Sequence, residues 1–297
     1  MHKRSGIGLF FLLMATLLAA GCEKKVDAAG PGGTVKANAA YVEHFGQPPT
    51  PEKGSCFARV GFLPLSSDPA KVRAVPYFLF RKPDKLQLIL DRLTSDEMVL
   101  PPGSGLFNPF PPGSTIHVRS RDGGTVTLDL LADGAADAGL NGLAVAAALT
   151  ETAVQFDGIE TVNILLNGSP LEGMPAGGFR HESQRIVEAG PPALVMVVGA
   201  WESGADGPEE ILVDFDRPVN VQSFRLEDAS GQEVKGEYFQ SAFDMSVVVH
   251  PEAPGTFQEG TILRAVWEVT DRLGRIGKGA GEFALKRHDH PAPGDQR

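Results

Sequence analysis

Seven histidines, His2, His44, His117, His181, His250, His288 and His290, are the side chains best suited to acid–base or metal chemistry near neutral pH. A nucleophilic enzyme needs a serine or cysteine with a base and an orienting group in reach. His2 lies in a leader segment, and His44, His288 and His290 lie in stretches expected to be flexible. His117 and His250 fall on expected strands and His181 in an expected linker, and no Gly-x-Ser-x-Gly elbow accompanies any of them. No catalytic residue is expected, and the chain reads as a non-enzyme. His288-Asp289-His290 has suitable ligands for a transition metal, but a solvated tail with accidental affinity is the favoured reading. Asp214, Asp216 and Asp271 could meet at one end of a β-sandwich and hold calcium; acids at strand ends more often cap turns. Gly123-Gly124 lacks the Gly-Lys-Ser of a phosphate-cradling loop. Neither a metal nor a cofactor is expected.

The two cysteines are too few for a disulfide framework, and they are not equivalent. Lys3 and Arg4 precede an uncharged run over residues 7–20, the pattern of an export signal. That run is shorter than the roughly 20 residues of a membrane-spanning helix. It ends Leu18-Ala19-Ala20-Gly21-Cys22, which resembles the lipobox of bacterial lipoproteins, with Ala19 where leucine is usual. The resemblance implies lipidation (palmitate) at Cys22 and a chain held at the cell membrane on its extracytoplasmic side. An ordinary cleavage site is the alternative. Loss of residues 1–21 removes Lys3 and Arg4 and takes the formal charge from −10 to −12. So acidic a body excludes a broad basic face for nucleic acid, and lipid rather than charge would hold it at the membrane. Cys56 is left as a buried free thiol, the favoured reading, or as half of an intermolecular disulfide.

Positioning elements follow from pattern. Residues 22–55, rich in Gly, Pro, Ala, Lys and Glu, read as a flexible tether. Two strands are expected over 58–65 and 72–80, with Pro64 and Pro76 at an edge or a bulge. Leu86, Ile89, Leu90 and Leu93 keep helical spacing behind Pro83 and Asp84. A loop rich in Pro and Gly over 94–114 leads to a hairpin turning at Asp122-Gly123-Gly124. A second helix over 140–156, with Leu140, Leu143, Ala147 and Val154 on one face, precedes a strand over 161–166. From residue 193 on, short strands at near-regular spacing predict an all-β sandwich with Phe215 and Trp267 in its core. Trp201 reads as a loop residue available for contact.

The first body resembles the GerMN domain of sporulation and spore germination. The carrying segments are Leu90-Asp91-Arg92-Leu93, Pro109-Phe110-Pro111-Pro112-Gly113-Ser114-Thr115, the strand over 125–130, Val154-Gln155-Phe156-Asp157-Gly158-Ile159, and Asn167-Gly168. Thr94-Ser95-Asp96 replaces the family's Gly-Pro, and Ala148 stands where glutamine is common. The second body is similar to bacterial Ig-like domains at Asp214-Phe215-Asp216-Arg217-Pro218-Val219 and Trp267-Glu268-Val269-Thr270-Asp271. The expected class is α+β, a GerMN-like α/β sandwich followed by an all-β Ig-like sandwich. The expected order is signal peptide 1–21, tether 22–55, GerMN-like domain 56–172, linker 173–190, Ig-like domain 191–286 and disordered tail 287–297.

These resemblances imply a non-catalytic, lipid-anchored envelope protein. Its partners would be the membrane, through lipid on Cys22, and other envelope proteins, with a role in sporulation or germination. The alternative is a module binding cell-wall glycan or a small solute, with a pocket near Phe107 and Phe110.

Overall fold

The computed structural model describes residues 33–51, 54–80, 85–96, 98–133, 139–241 and 243–289, all within one compact unit, Pro31–Arg297. Residues 1–21, expected to be a signal peptide, and Cys22, Pro83, Asp84 and His290 lie outside the described residues. Order begins inside the stretch expected to be a tether. β1 (Thr34–Ala37) pairs in parallel with β2 (Ser55–Leu65), and α1 (Ala39–Phe45) lies between them in sequence. The Asn38 side chain caps α1, its Oδ1 accepting from the Tyr41 N–H at 3.0 Å. Tyr41 and Phe45, one helical turn apart, are 0% and 2% exposed, with ring centroids 5.5 Å apart. This pair anchors a segment whose composition is otherwise that of a linker, so the tether reading of 34–46 is corrected, and with it the flexible placement of His44.

β3 (Asp68–Leu79) runs antiparallel to β2 and forms the edge of the sheet β1-β2-β3. Pro64 sits at the register shift and Pro76 on the edge strand, as a missing N–H requires. α2 (Lys85–Leu93) buries Leu86, Ile89, Leu90 and Leu93, the face its spacing predicts. β4 (Thr115–Asp122) and β5 (Thr125–Leu131) turn at Gly123 and Gly124, with φ of 53° and 81°. α3 (Gly142–Val154) then crosses over to β6 (Thr161–Leu166), parallel to β5. β7 (Ser169–Pro170) and β8 (Phe179–Arg180) both pair antiparallel with β6.

α3 has no solvent face over residues 144–153. Val145, Ala146, Ala148 and Leu149 join the core shared with α2, β5 and β6, while Ala147 joins a separate cluster with Tyr41, Phe45 and Phe62. Leu143, expected on the buried face, is 69% exposed; alanines, not leucines, mark the contact because they let backbones approach. α3 also completes β2. Past the end of β1, the Val60 N–H donates to Gln155 Oε1 at 3.1 Å and the Phe62 N–H to Thr152 Oγ1 at 3.0 Å, while Gln155 Nε2 donates to the Val60 carbonyl. Helix side chains here take the place of a missing strand.

The second half is all strand apart from one short turn of 3₁₀ helix. β9 (Leu194–Trp201), β10 (Glu210–Phe215), β12 (Gly236–Gln240) and β13 (Ser246–Pro251) form one sheet, while β11 (Val219–Glu227), β14 (Ile262–Asp271) and β15 (Ile276–Ala284) form the other. Val197, Val213 and Phe215 of the first meet Leu226, Leu263 and Val269 of the second in one core. β16 (Lys286–Asp289) adds to β9 in parallel, so part of the expected tail, His288 included, is strand. Trp201 is 1% exposed rather than a loop contact, with the Arg287 guanidinium 5.0 Å over its ring; Trp267 is only partly buried. The expected linker is packed as well: β8 lies within it, and the Val187 N–H donates to the Val72 carbonyl at 2.8 Å.

Candidate functional site

The two halves meet at a clamp of arginines and aspartates. Asp271, at the end of β14 and 1% exposed, accepts from Arg275 Nε at 2.6 Å and from Arg217 Nη1 at 3.3 Å. Its other oxygen accepts the N–H groups of Leu273 and Arg275, both at 3.0 Å. Burial pushes the Asp271 carboxyl up, but those backbone bonds and the Arg275 guanidinium outweigh it and hold the group below the usual carboxylate range. Arg217 also bonds Asp216 Oδ2 at 2.8 Å and the Gly190 carbonyl at 2.9 Å, and lies 5.7 Å over the Phe45 ring. Arg275 reaches the His44 carbonyl at 2.8 Å and that of Ala189 at 3.2 Å. The sandwich thereby grips the end of α1 and the chain that joins the halves. Asp216 and Asp271 serve arginines, not calcium, and among the described residues no group of three His, Cys, Asp or Glu could hold a metal.

On one side of the clamp lies an apolar cleft of about 790 Å³, within the size range of sites that enclose small ligands or peptide side chains. Tyr77 and Phe78 of β3, Met98 and Leu100 of the long loop, Met196 of β9 and Met245 line it. Three of the four methionines among the described residues meet here, giving a soft, adaptable wall. Tyr77 donates to Met98 Sδ at 3.6 Å, and burial pushes its phenol far above the ordinary range. Asp214 also faces this space. Its Oδ1 accepts from Ser246 Oγ at 2.6 Å, yet burial outweighs that bond and pushes the carboxyl up. A smaller hollow of about 400 Å³ shares Phe78, Arg92 and Ser95 and continues the cleft toward exposed Phe80. Of the two aromatics expected near a pocket, Phe110 is buried in the core, and the loop gives residues 98–104 and Leu106 to this cleft.

On the other side lies a polar cleft of about 950 Å³. Glu151 of α3, 1% exposed, has Oε2 2.6 Å from His181 Nδ1, and its Oε1 accepts the Glu182 N–H at 3.1 Å. Ser183 lines the same cleft without a hydrogen bond to the imidazole; the nucleophile–base contact of acyl transfer is not made. His44 lines it too, and burial lowers its pKa. The other histidines are elsewhere: His117 Nε2 lies 3.5 Å from Thr115 Oγ1, and His250 pairs with Glu210 at 3.3 Å and stacks on Phe239. Cys56 is a buried free thiol whose pKa burial raises. The sequence missed Glu151 because an acid inside an alanine-rich helix has no local signal of its partner, 30 residues on.

Comparison with known families places a match on residues 62–172, from the middle of β2 to just past β7. The matching family model is Germane. Its description is sporulation and spore germination. The first GerMN domain of the sporulation protein GerM from Bacillus subtilis is 22% identical over 42% of this chain and 93% of that one, with a TM-score of 0.30. The tandem GerMN domains of the same protein are 18% identical over 61% of this chain and 58% of theirs, with a TM-score of 0.31. CopC from Methylosinus trichosporium OB3b is 18% identical over 33% of this chain and 96% of that one, with a TM-score of 0.23. No curated protein matches the chain.

Proposed function

We propose that the protein is a non-catalytic, lipid-anchored module of the cell envelope that binds other envelope proteins during sporulation or spore germination. The observation that carries this reading is the Germane match over residues 62–172. The lipobox-like run into Cys22 supports an extracytoplasmic anchor, and the β-half, with its two sheets on one core, fits an Ig-like role as a second contact module. The Arg217–Asp271–Arg275 clamp supports a scaffold: its ion pairs fix two guanidiniums that bond the His44, Ala189 and Gly190 carbonyls, so a partner would meet one shaped body. A glycan site is the weaker alternative, because sugar hydroxyls need hydrogen-bond partners, and aromatic rings, methionines and prolines make up much of the lining of the apolar cleft.

The test is genetic and biochemical together. Replacing Cys22→Ala is expected to move the protein out of the membrane fraction, abolish palmitate labelling and reproduce the phenotype of a deletion. A deletion strain with normal spores, normal germination and an intact envelope would overturn the reading.

A further inference from the structure

The apolar cleft contains a strand edge. Residues 73–78 of β3 line it in an unbroken row, which places both parities of the pleat beside the space, as when a strand turns its edge to it. β2 occupies the other edge of β3. On the free edge, the backbone bond nearest the cleft is at Val72, whose carbonyl accepts from the Val187 N–H at 2.8 Å. That bond fixes the parity: outward groups recur every second residue, at Ala74, Pro76 and Phe78, and the register with β2 is unbroken across them. Pro76 falls at an outward position, where a proline withdraws no bond from the β2 ladder. The edge therefore presents the N–H groups of Ala74 and Phe78 and the carbonyls of Ala74, Pro76 and Phe78, and no backbone bond takes them among the described residues.

Charge narrows the occupant. Asp214, in the same lining, has a hydroxyl partner in Ser246 and no cation paired with it among the described residues. Arg217 is committed to Asp216 and Asp271, Arg73 donates to the Ser104 carbonyl at 3.0 Å, and Arg92, exposed, stands where the cleft runs into the smaller hollow. We propose that the cleft takes an extended, apolar segment of a partner protein as an added strand on β3, with a lysine or arginine of that segment against Asp214. In such a mode the main chain supplies affinity and alternate side chains entering apolar pockets supply specificity; the methionine wall suits the second task. A cation set against Asp214 favours its charged form and so opposes the rise that burial imposes on the carboxyl. This inference rests on the reading of the protein as a binding module and names the chemistry of what it binds.

Three fluorescein-labelled peptides test it on the full-length protein in detergent: VTVKVTV, VTVEVTV, and VTVKVTV N-methylated at alternate residues. VTVKVTV is expected to bind saturably and to slow amide exchange at Phe78 by about 10-fold or more. N-methylation, which leaves the protein untouched, is expected to weaken binding by about 5-fold or more by blocking the ladder. Asp214→Asn is expected to narrow the preference for VTVKVTV over VTVEVTV by a similar factor, about 5-fold. Three outcomes overturn the proposal: no saturable binding by any peptide, binding indifferent to N-methylation, or occupation of the edge by a second copy, seen as a dimer that excludes the peptides. None of these touches the Cys22→Ala or deletion phenotypes, so failure here is separable from failure of the wider reading.

Discussion

His44 and Ala189 line the polar cleft, while their neighbours Phe45 and Gly190 line the apolar one. The clamp of Arg217, Asp271 and Arg275 thus stands between two spaces of similar size and opposite finish. In the polar cleft two charged groups are answered by the chain itself: Glu151 by His181 and the Glu182 N–H, Arg275 by Asp271 and two carbonyls. In the apolar cleft, among the described residues, a carboxylate has no cation and a strand edge has no backbone partner beyond Val72. A cluster of charges is the more obvious candidate for function, yet here it holds the fold to itself. The quieter cleft keeps the buried carboxylate and the open strand edge.

The contrast can be broken at its hinge. Asp271→Ala leaves the buried Arg217 without its shared acceptor and is expected to cost about 3–5 kcal/mol in urea unfolding. The sign with pH follows from a depressed carboxyl: its stabilisation is present above the unfolded-state value of about 3.9 and disappears as pH falls through the lower folded value. Wild type should therefore lose stability in acid more steeply than the variant. A smaller effect is expected in the polar cleft. Glu151→Ala orphans the Glu182 N–H and should cost about 1–3 kcal/mol by the same measurement, with VTVKVTV affinity unchanged.

Tyr41 tests whether any unmet polar atom marks a site. Its hydroxyl is buried without a hydrogen-bond partner, but it lies in a closed core and lines neither cleft. Tyr41→Phe should raise stability by about 1 kcal/mol in calorimetry and leave peptide binding alone. The smallest effect is expected for Asp214→Asn. A raised carboxyl stabilises the fold below its unfolded value and loses that contribution as pH rises through the folded one. The variant should be more stable than wild type at pH 7 by less than about 1 kcal/mol, and the two should converge in acid.

What was legible in the chain was what repeats locally. Leu86, Ile89, Leu90 and Leu93 declared one helix, Gly123-Gly124 a hairpin and Pro64 a bulge, because each depends on neighbours within a turn or two. α1 was hidden because Tyr41 and Phe45 are only two anchors in a run of linker-like residues. The face of α3 was misassigned at Leu143, since a helix buried on every side has no stripe to read. Neither cleft was visible: Met98, Met196 and Met245 are far apart in sequence, and the free edge of β3 exists only because the ladder stops at β2 on one side and at Val72 on the other. Such juxtapositions are products of topology, and no period in the sequence records them.

Photo-cross-linking in living cells separates the two clefts most directly. A photoreactive residue is placed at Val99, on the apolar rim, or at Glu188, exposed beside the polar cleft. The expected result is a discrete envelope-protein adduct from position 99, absent from position 188 and reduced by Asp214→Asn. Equal adducts from both positions, or an adduct from position 188 alone, would contradict the assignment of binding to the apolar cleft.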